Sequence, residues 1–333
     1  MSDKPLFIGI DLGGTKIGTG LVNVEGQIEA QDYRLTPVKQ GRDTVIESMA
    51  AAARQVMEHA SVEAGAVSGI GVGAPGPLDI PKGILTEPPN LPGWHNVPLK
   101  QIIEDKVGIP TYLENDANAA GIGEFLYGAG RGTRNMIYVT VSTGIGGGLI
   151  LDGKIYHGAK GSAGEIGHMT LVPGGPMCGC GNRGCLEAMA SGTAIARQGR
   201  ELVERGIDTQ IADLVQGAPE RVSAKTVVDA MYAGDSYASD IIVEAMRYLG
   251  IGMANLVNLF NPEMIVIGGG LSNLGDKLLA PVRRGIDLHA YPSAASQVRV
   301  TLAQLGSEVG IVGAAGAAMM AAEPPRSSVA SRT

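Results

Sequence analysis

Apolar residues in this chain come in short continuous runs that stop at glycine. Leu6-Phe-Ile-Gly-Ile leads into Asp11-Leu-Gly13-Gly14-Thr15-Lys16, and a second apolar stretch then runs to the turn Glu25-Gly26. Runs of this length bounded by turn residues predict strands, here a β-hairpin. The pattern returns 130 residues on: Met136-Ile-Tyr-Val-Thr-Val, then Ser142-Thr143-Gly144-Ile-Gly146-Gly-Gly148, then Leu149-Ile-Leu and the turn Asp152-Gly153. The two halves read as repeats of one hairpin. Ile241 to Phe260 has apolar residues at helical spacing and precedes a third glycine cluster, Gly268-Gly269-Gly270, at the end of the apolar run Ile265-Val-Ile. Between the repeats, a short strand is expected to end at Leu113 and an alanine-rich helix to begin near Asn118. The Pro- and Gly-rich stretches Gly73–Asp79 and Pro88–Trp94 read as loops.

The glycines after Ser142 mimic a dinucleotide fingerprint, but that fingerprint needs a helix behind it, and here a strand follows. No G-x-x-x-x-G-K-[ST] run is present either. What remains is a pair of hairpin turns whose backbone N–H groups can converge on phosphates, with hydroxyls from Thr15, Ser142 and Thr143 beside them. Asp11, at the tip of the first strand, is the natural partner of a Mg²⁺ ion. The Gly269-Gly270 turn, at another strand end, is placed to face a base and ribose. Asn115 and Asp116 fall at a strand-to-helix junction. One reading is a helix cap. The other is a general base: the positive end of a helix keeps Asp116 ionised, and phosphoryl transfer to an alcohol needs such a carboxylate.

Composition narrows the partners. At 333 residues the chain is long enough for two domains, and 44% hydrophobic with 18% charged residues is a soluble globular balance. Glycine stands out at 50 residues, about twice the usual share. A net charge of −7 argues against nucleic acid or an anionic membrane as partner. No signal peptide or membrane-spanning apolar run is evident.

All three cysteines lie in Cys178-Gly-Cys180-Gly-Asn-Arg-Gly-Cys185-Leu-Glu187, just after Gly164-Glu165-Ile-Gly-His168. Three thiolates and one imidazole make a closed tetrahedral zinc set, hence a structural site. A Cys-x-Cys disulfide is strained and leaves one thiol over. Thiols grouped for metal fit a reducing cytosol, and a cytoplasmic protein is expected. Zinc at this position would hold Glu165 and Glu187 fixed relative to each other, as a polyhydroxylated ligand requires.

Together these motifs resemble the ROK family (repressors, open reading frames and sugar kinases), and most of all its bacterial glucokinases. The resemblance covers Ile8 to about Met320. It rests on Asp11-Leu-Gly-Gly-Thr-Lys16, Glu114-Asn-Asp-Ala-Asn-Ala119, Ser142-Thr-Gly-Ile-Gly-Gly-Gly148, Glu165-Ile-Gly-His168 and the cysteine run with Glu187, with no departure at any of them. It implies an actin-like, ribonuclease-H-like α/β fold of two domains around a cleft that holds sugar and ATP. By that likeness the small domain is 1–115 plus about 300–322, to which a C-terminal helix returns, and the large domain is 116–299. A tail from 323 to 333 is expected to be disordered. The small residues Gly313, Ala314, Gly316 and Ala317 would let that helix pack closely.

The resemblance further implies that Asp116 takes the proton of a sugar 6-hydroxyl. Gly76, Asn90, Asn115, Glu165, His168 and Glu187 hold the other hydroxyls, with His168 shared between zinc and sugar. Gly13, Gly14, Thr15, Lys16, Thr143, Gly144 and Gly146 face the phosphates of Mg-ATP. A homodimer or homotetramer is implied in the same way. Rival expectations are a kinase for N-acetylmannosamine, fructose, allose or mannose, a sugar-sensing repressor, and a clamp-like ATPase that binds no sugar. The early first strand and the acidic charge speak against the repressor, and the Glu165/His168/Glu187 cluster against the ATPase.

Overall fold

The structure is a computed structural model in which residues 4–88 and 90–322 are described. The expected tail, 323–333, lies outside the described residues. Its first three strands, β1 (Leu6–Leu12), β2 (Lys16–Asn23) and β3 (Ile28–Leu35), form an antiparallel meander. Helix α1 (Arg42–His59) returns the chain to β4 (Val67–Ala74), parallel to β1. A small hairpin, β5 (Leu78–Asp79) and β6 (Ile84–Leu85), and helix α2 (Leu99–Val107) lead to β7 (Thr111–Asn115), which continues directly into α3 (Asp116–Leu126). The sheet order is β3-β2-β1-β4-β7. β1 and β4 are buried along nearly their whole length, as central strands covered on both faces are, whereas edge strand β3 alternates half-buried and exposed positions. Ile8, Ile10, Ile70 and Val72 form a core with Met49 and Val56 of α1 and with Trp94.

The second sheet repeats that plan. β8 (Met136–Val141), β9 (Ile145–Leu151) and β10 (Lys154–Ile155) are its meander. After the cysteine-bearing segment come α4 (Leu186–Ala190), α5 (Gly192–Glu204), α6 (Gln210–Leu214), α7 (Ala224–Tyr232) and the long α8 (Ser236–Phe260). β11 (Met264–Gly268) then lies parallel to β8, and after α9 (Asp276–His289) and α10 (Pro292–Ala295), β12 (Arg299–Leu302) lies parallel to β11. The order β10-β9-β8-β11-β12 matches the first sheet strand for strand. Ile242, Met246, Leu249 and Met253 of α8, one helical face, are buried in this sheet's core. No described helix is long and apolar enough to cross a membrane.

The last helix, α11 (Val309–Ala322), packs against β1, β4 and α3. Its approach needs glycine: a Cβ on Gly71 of β4 would overlap the Ala314 carbonyl, and one on Gly313 would overlap the Ala119 carbonyl of α3. Two compact units result. One comprises the residues up to Arg131, Ile155–Ala163 and those from Gln304 on; the other comprises Gly132–Lys154 and Gly164–Ala303. The boundary expected at 115/116 therefore falls inside the first unit, because α3 continues β7 and packs on α11. The expected return near 300 occurs at Gln304 instead. Ile155–Ala163 also moves to the first unit. Next to the first and last of the four crossing points sits Glu124, fully buried. Its Oε1 accepts the N–H groups of Gln304 and Leu305, each at 2.8 Å, and its Oε2 accepts that of Ala129 at 2.8 Å.

Candidate active site

In the first unit the β7–α3 junction carries the carboxylate of interest. Asn115 is the helix cap, in extended backbone (φ −67°, ψ 144°), and its Oδ1 accepts from Ala117 N–H at 2.9 Å and Asn118 N–H at 3.2 Å. The helix therefore begins at Asp116, two residues before the expected start, and the strand runs on past Leu113. Capping uses the amide oxygen of Asn115 and leaves its Nδ2 as a donor on the side of Gly76, where a Cβ would lie 3.6 Å away. Asp116 is exposed at the first helical position, and its Oδ1 accepts Ala117 N–H at 2.8 Å. Beneath it, buried Glu114 bonds Asn115 N–H (2.9 Å) and Asn118 Nδ2 (2.8 Å) through Oε1, and meets His157 Nε2 at 2.7 Å through Oε2.

The first hairpin turn is anchored to the end of β3. Gly13 N–H bonds the Lys16 carbonyl at 3.0 Å, while Thr36 donates its hydroxyl to Gly13 O (2.6 Å) and its N–H to Thr15 O (2.9 Å). Gly14 lies against exposed Asn90, which a Cβ would meet at 3.2 Å. Thr15 and Lys16 are exposed, and Lys16 Nζ stands 5.0 Å over the Tyr33 ring. Burial raises the Asp11 pKa, with Lys16 opposing it. Asp11 also abuts the first turn of α11, where a Cβ on Gly310 would lie 2.5 Å from Oδ2. A helix N-terminus favours the ionised carboxylate there.

In the second unit the turn Ser142–Gly144 is tied differently. Gly192 N–H bonds Ser142 O at 2.7 Å, and Thr193 bonds Thr143 O through its N–H (3.1 Å) and its hydroxyl (2.8 Å). Glu187 Oε2 accepts Ile145 N–H at 2.9 Å, and its Oε1 is 3.7 Å from Cys178 Sγ. A Cβ on Gly144 would strike that carboxylate.

His168, Cys178, Cys180 and Cys185 bring their four ligand atoms within 4.8 Å of one another. Cys180 Sγ and Cys185 Sγ are 3.8 Å apart, and His168 Nδ1 is 3.6 Å from Cys178 Sγ. A tetrahedral site with Zn–S of about 2.3 Å and Zn–N of about 2.0 Å has edges of about 3.5 to 3.8 Å, so the donor set fits that ion. Burial pushes the Cys178 thiol up to about 12; a bound cation supplies the charge that lets such thiols ionise. With Nδ1 turned to the cysteines, His168 presents Nε2 toward Glu165 Oε2 at 3.9 Å.

Beside the second turn opens a cavity of about 660 Å³, within the range of small-molecule sites. Ser142, Thr143 and Gly270 line one part of it, and Thr193, Lys225 and Tyr232 line another.

A family model for ROK, the ROK family, matches residues 7–321. The chain belongs to the ROK family. It is 39% identical over 312 residues to a glucokinase of Thermotoga maritima, covering 94% of this chain and 96% of that one. It is also similar to a solved ROK hexokinase from Thermus thermophilus (38% identity, TM-score 0.80, 95% of this chain and 98% of that one). A ROK family glucokinase from Streptomyces griseus, solved in complex with glucose and AMPPNP, matches at 36% identity and TM-score 0.77 over 95% of this chain and 99% of that one. The fold is accordingly the actin-like one of ROK kinases.

Within this ROK chain the structure gathers Gly76, Asn115 and Asp116 near one another in the first unit, and Asn90 beside Gly14. In the second it joins Glu165 to His168, Glu187 to the Thr143–Gly146 turn, and Thr143 to Gly270 in one cavity. Sequence reasoning passed over His157, Glu124 and the cavity walls Thr193, Lys225 and Tyr232. Thr193 alone had a usable signal, since Ser191-Gly-Thr opens a helix just after the cysteine run.

Proposed function

We propose that this ROK protein transfers the γ-phosphoryl group of ATP to the 6-hydroxyl of a hexose, D-glucose first among them, forming glucose 6-phosphate and ADP. The observation that carries the reading is the whole-chain likeness to the S. griseus glucokinase holding glucose and an ATP analogue. The residues support the same chemistry. Asp116 accepts the hydroxyl proton as the O6–P bond forms and the bond to ADP breaks. Asn115 is fixed by its cap and offers Nδ2 to a sugar hydroxyl, beside the backbone of Gly76. Asn90, Glu165, His168 and Glu187 complete the sugar contacts, His168 through Nε2. Gly13, Gly14, Thr15, Lys16, Thr143, Gly144 and Gly146 face phosphates, while Gly269, Gly270 and the cavity wall take the nucleoside.

His168, Cys178, Cys180 and Cys185 hold a structural zinc, whose role is to fix the loop that carries Glu187's neighbours. Mg²⁺ accompanying ATP neutralises phosphate charge, and Asp11, a half-buried carboxylate at a strand end, suits that hard cation. The reading extends to a cytoplasmic homodimer or homotetramer, which sedimentation measures. A coupled ADP-release assay with Mg-ATP across glucose, mannose, fructose, allose, N-acetylglucosamine and N-acetylmannosamine tests the proposal. The highest kcat/KM is expected for glucose. A preference for another sugar changes the substrate and keeps the mechanism, whereas silence across the panel removes the kinase reading.

A further inference from the structure

Two residues behind Asp116 form an ion pair that the reaction as described leaves idle. Glu114 is the last buried residue of β7, and its carboxylate is divided between two tasks. Oε1 holds Asn115 N–H and Asn118 Nδ2, the backbone and side chain that shape the capping turn around Asp116; Oε2 meets His157 Nε2 at 2.7 Å. His157 comes from Ile155–Ala163, the segment that joins the first unit 43 residues downstream of Glu114. Glu114 is only 5% exposed. A buried carboxylate left without its cation draws in water to solvate its charge, and its hold on two donors weakens.

We propose that His157, in its protonated form, is a positioning residue for phosphoryl transfer: its ion pair with buried Glu114 keeps the Asn115–Asp116 turn in register. The inference rests on the reading of Asp116 as base. The hydrogen bond to Glu114 raises the pKa of His157, with burial opposing it. Glu114 is the charged group that faces the ring. On the neighbouring β5 side, Asp79 is paired with Lys82 at 2.8 Å and feels Lys160 of the His157 segment. A raised folded-state pKa means the clasp is complete below the ordinary imidazole value and is released as pH climbs through the raised one.

The test is a pH profile of kcat and of sugar KM for the wild type, His157→Gln, His157→Arg and Glu114→Gln. In the wild type kcat should fall on the basic side as His157 loses its proton. His157→Gln, at a partly exposed position, should lower kcat about 10-fold at neutral pH and flatten that basic limb. His157→Arg, a permanent cation, should restore kcat and extend its plateau to higher pH. Glu114→Gln keeps an acceptor for Asn115 and Asn118 without needing a cation, and should remove the basic limb too. A basic limb that persists unchanged in His157→Arg, or His157→Gln kinetics equal to wild type at every pH, overturns the proposal. An inactive wild type instead overturns the kinase reading beneath it.

Discussion

The two sheets share one strand order, yet their fifth strands end in different chemistry. β7 closes with Leu113-Glu114-Asn115 and passes straight into α3 with Asp116 at its first position. Its counterpart β12 ends at Leu302, and Ala303-Gln304 follow, with no acid and no helix at once. The hairpin turns diverge as well. Gly13–Lys16 is held by Thr36 at the edge of its own sheet, while Ser142–Gly144 is held by the start of α5 and by Glu187. A duplicated scaffold has thus divided its work. One copy presents a carboxylate on a capped helix, and the other fastens its turn between a cavity and a Cys₃His loop.

The division is broken most directly at Asp116. Asp116→Asn keeps the helix start, since the cap belongs to Asn115, but removes the carboxylate proposed as proton acceptor. A loss of kcat of about 10² to 10⁴ is expected, with glucose binding by calorimetry retained. Near-normal turnover would leave the end of β7 with no more chemistry than the end of β12. The next effect in size lies in the second unit. Cys180→Ser should abolish stoichiometric zinc in elemental analysis, lower the Tm, and reduce kcat/KM for sugar by about 10- to 100-fold. The reason is the chain of contacts from Cys178 through Glu187 to Ile145 N–H. Full activity in a zinc-free protein would uncouple the loop from the site.

What the sequence made legible follows from whether the signal was local. Both hairpins, the long amphipathic α8 and the Cys₃His set are each contained in a continuous stretch, and strand runs, helical spacing and ligand count suffice for them. The junction at Asp116 was displaced by two residues because Asn115 and Asn118 are both good caps by type. Only the fold decides that Asn115 caps while Asn118 turns inward to Glu114. Glu124 and the Glu114–His157 pair were invisible for another reason. A buried carboxylate looks like any surface acid until its partners, 180 and 43 residues away, are brought to it. The extension of the first unit beyond 115/116 is non-local in the same way, since only packing shows α3 and α11 to be neighbours.

The smallest expected effect probes the cavity beside the second turn. Tyr232 closes α7 and is exposed; Lys277 Nζ lies 5.6 Å from its ring centroid, a contact that helps fix the ring at the cavity wall. Behind it on the same helix, Lys225 and Asp229 pair at 2.6 Å, one turn apart. If this wall takes the nucleoside, the ring offers a face to the base. Stacking of a base on an aromatic side chain is worth about 1 to 3 kcal/mol, and an exposed ring belongs at the low end. Tyr232→Ala should therefore raise the KM for ATP about 5-fold and leave the KM for glucose and the kcat at saturating ATP close to wild type. A rise in the sugar KM instead would mean that the cavity serves the acceptor.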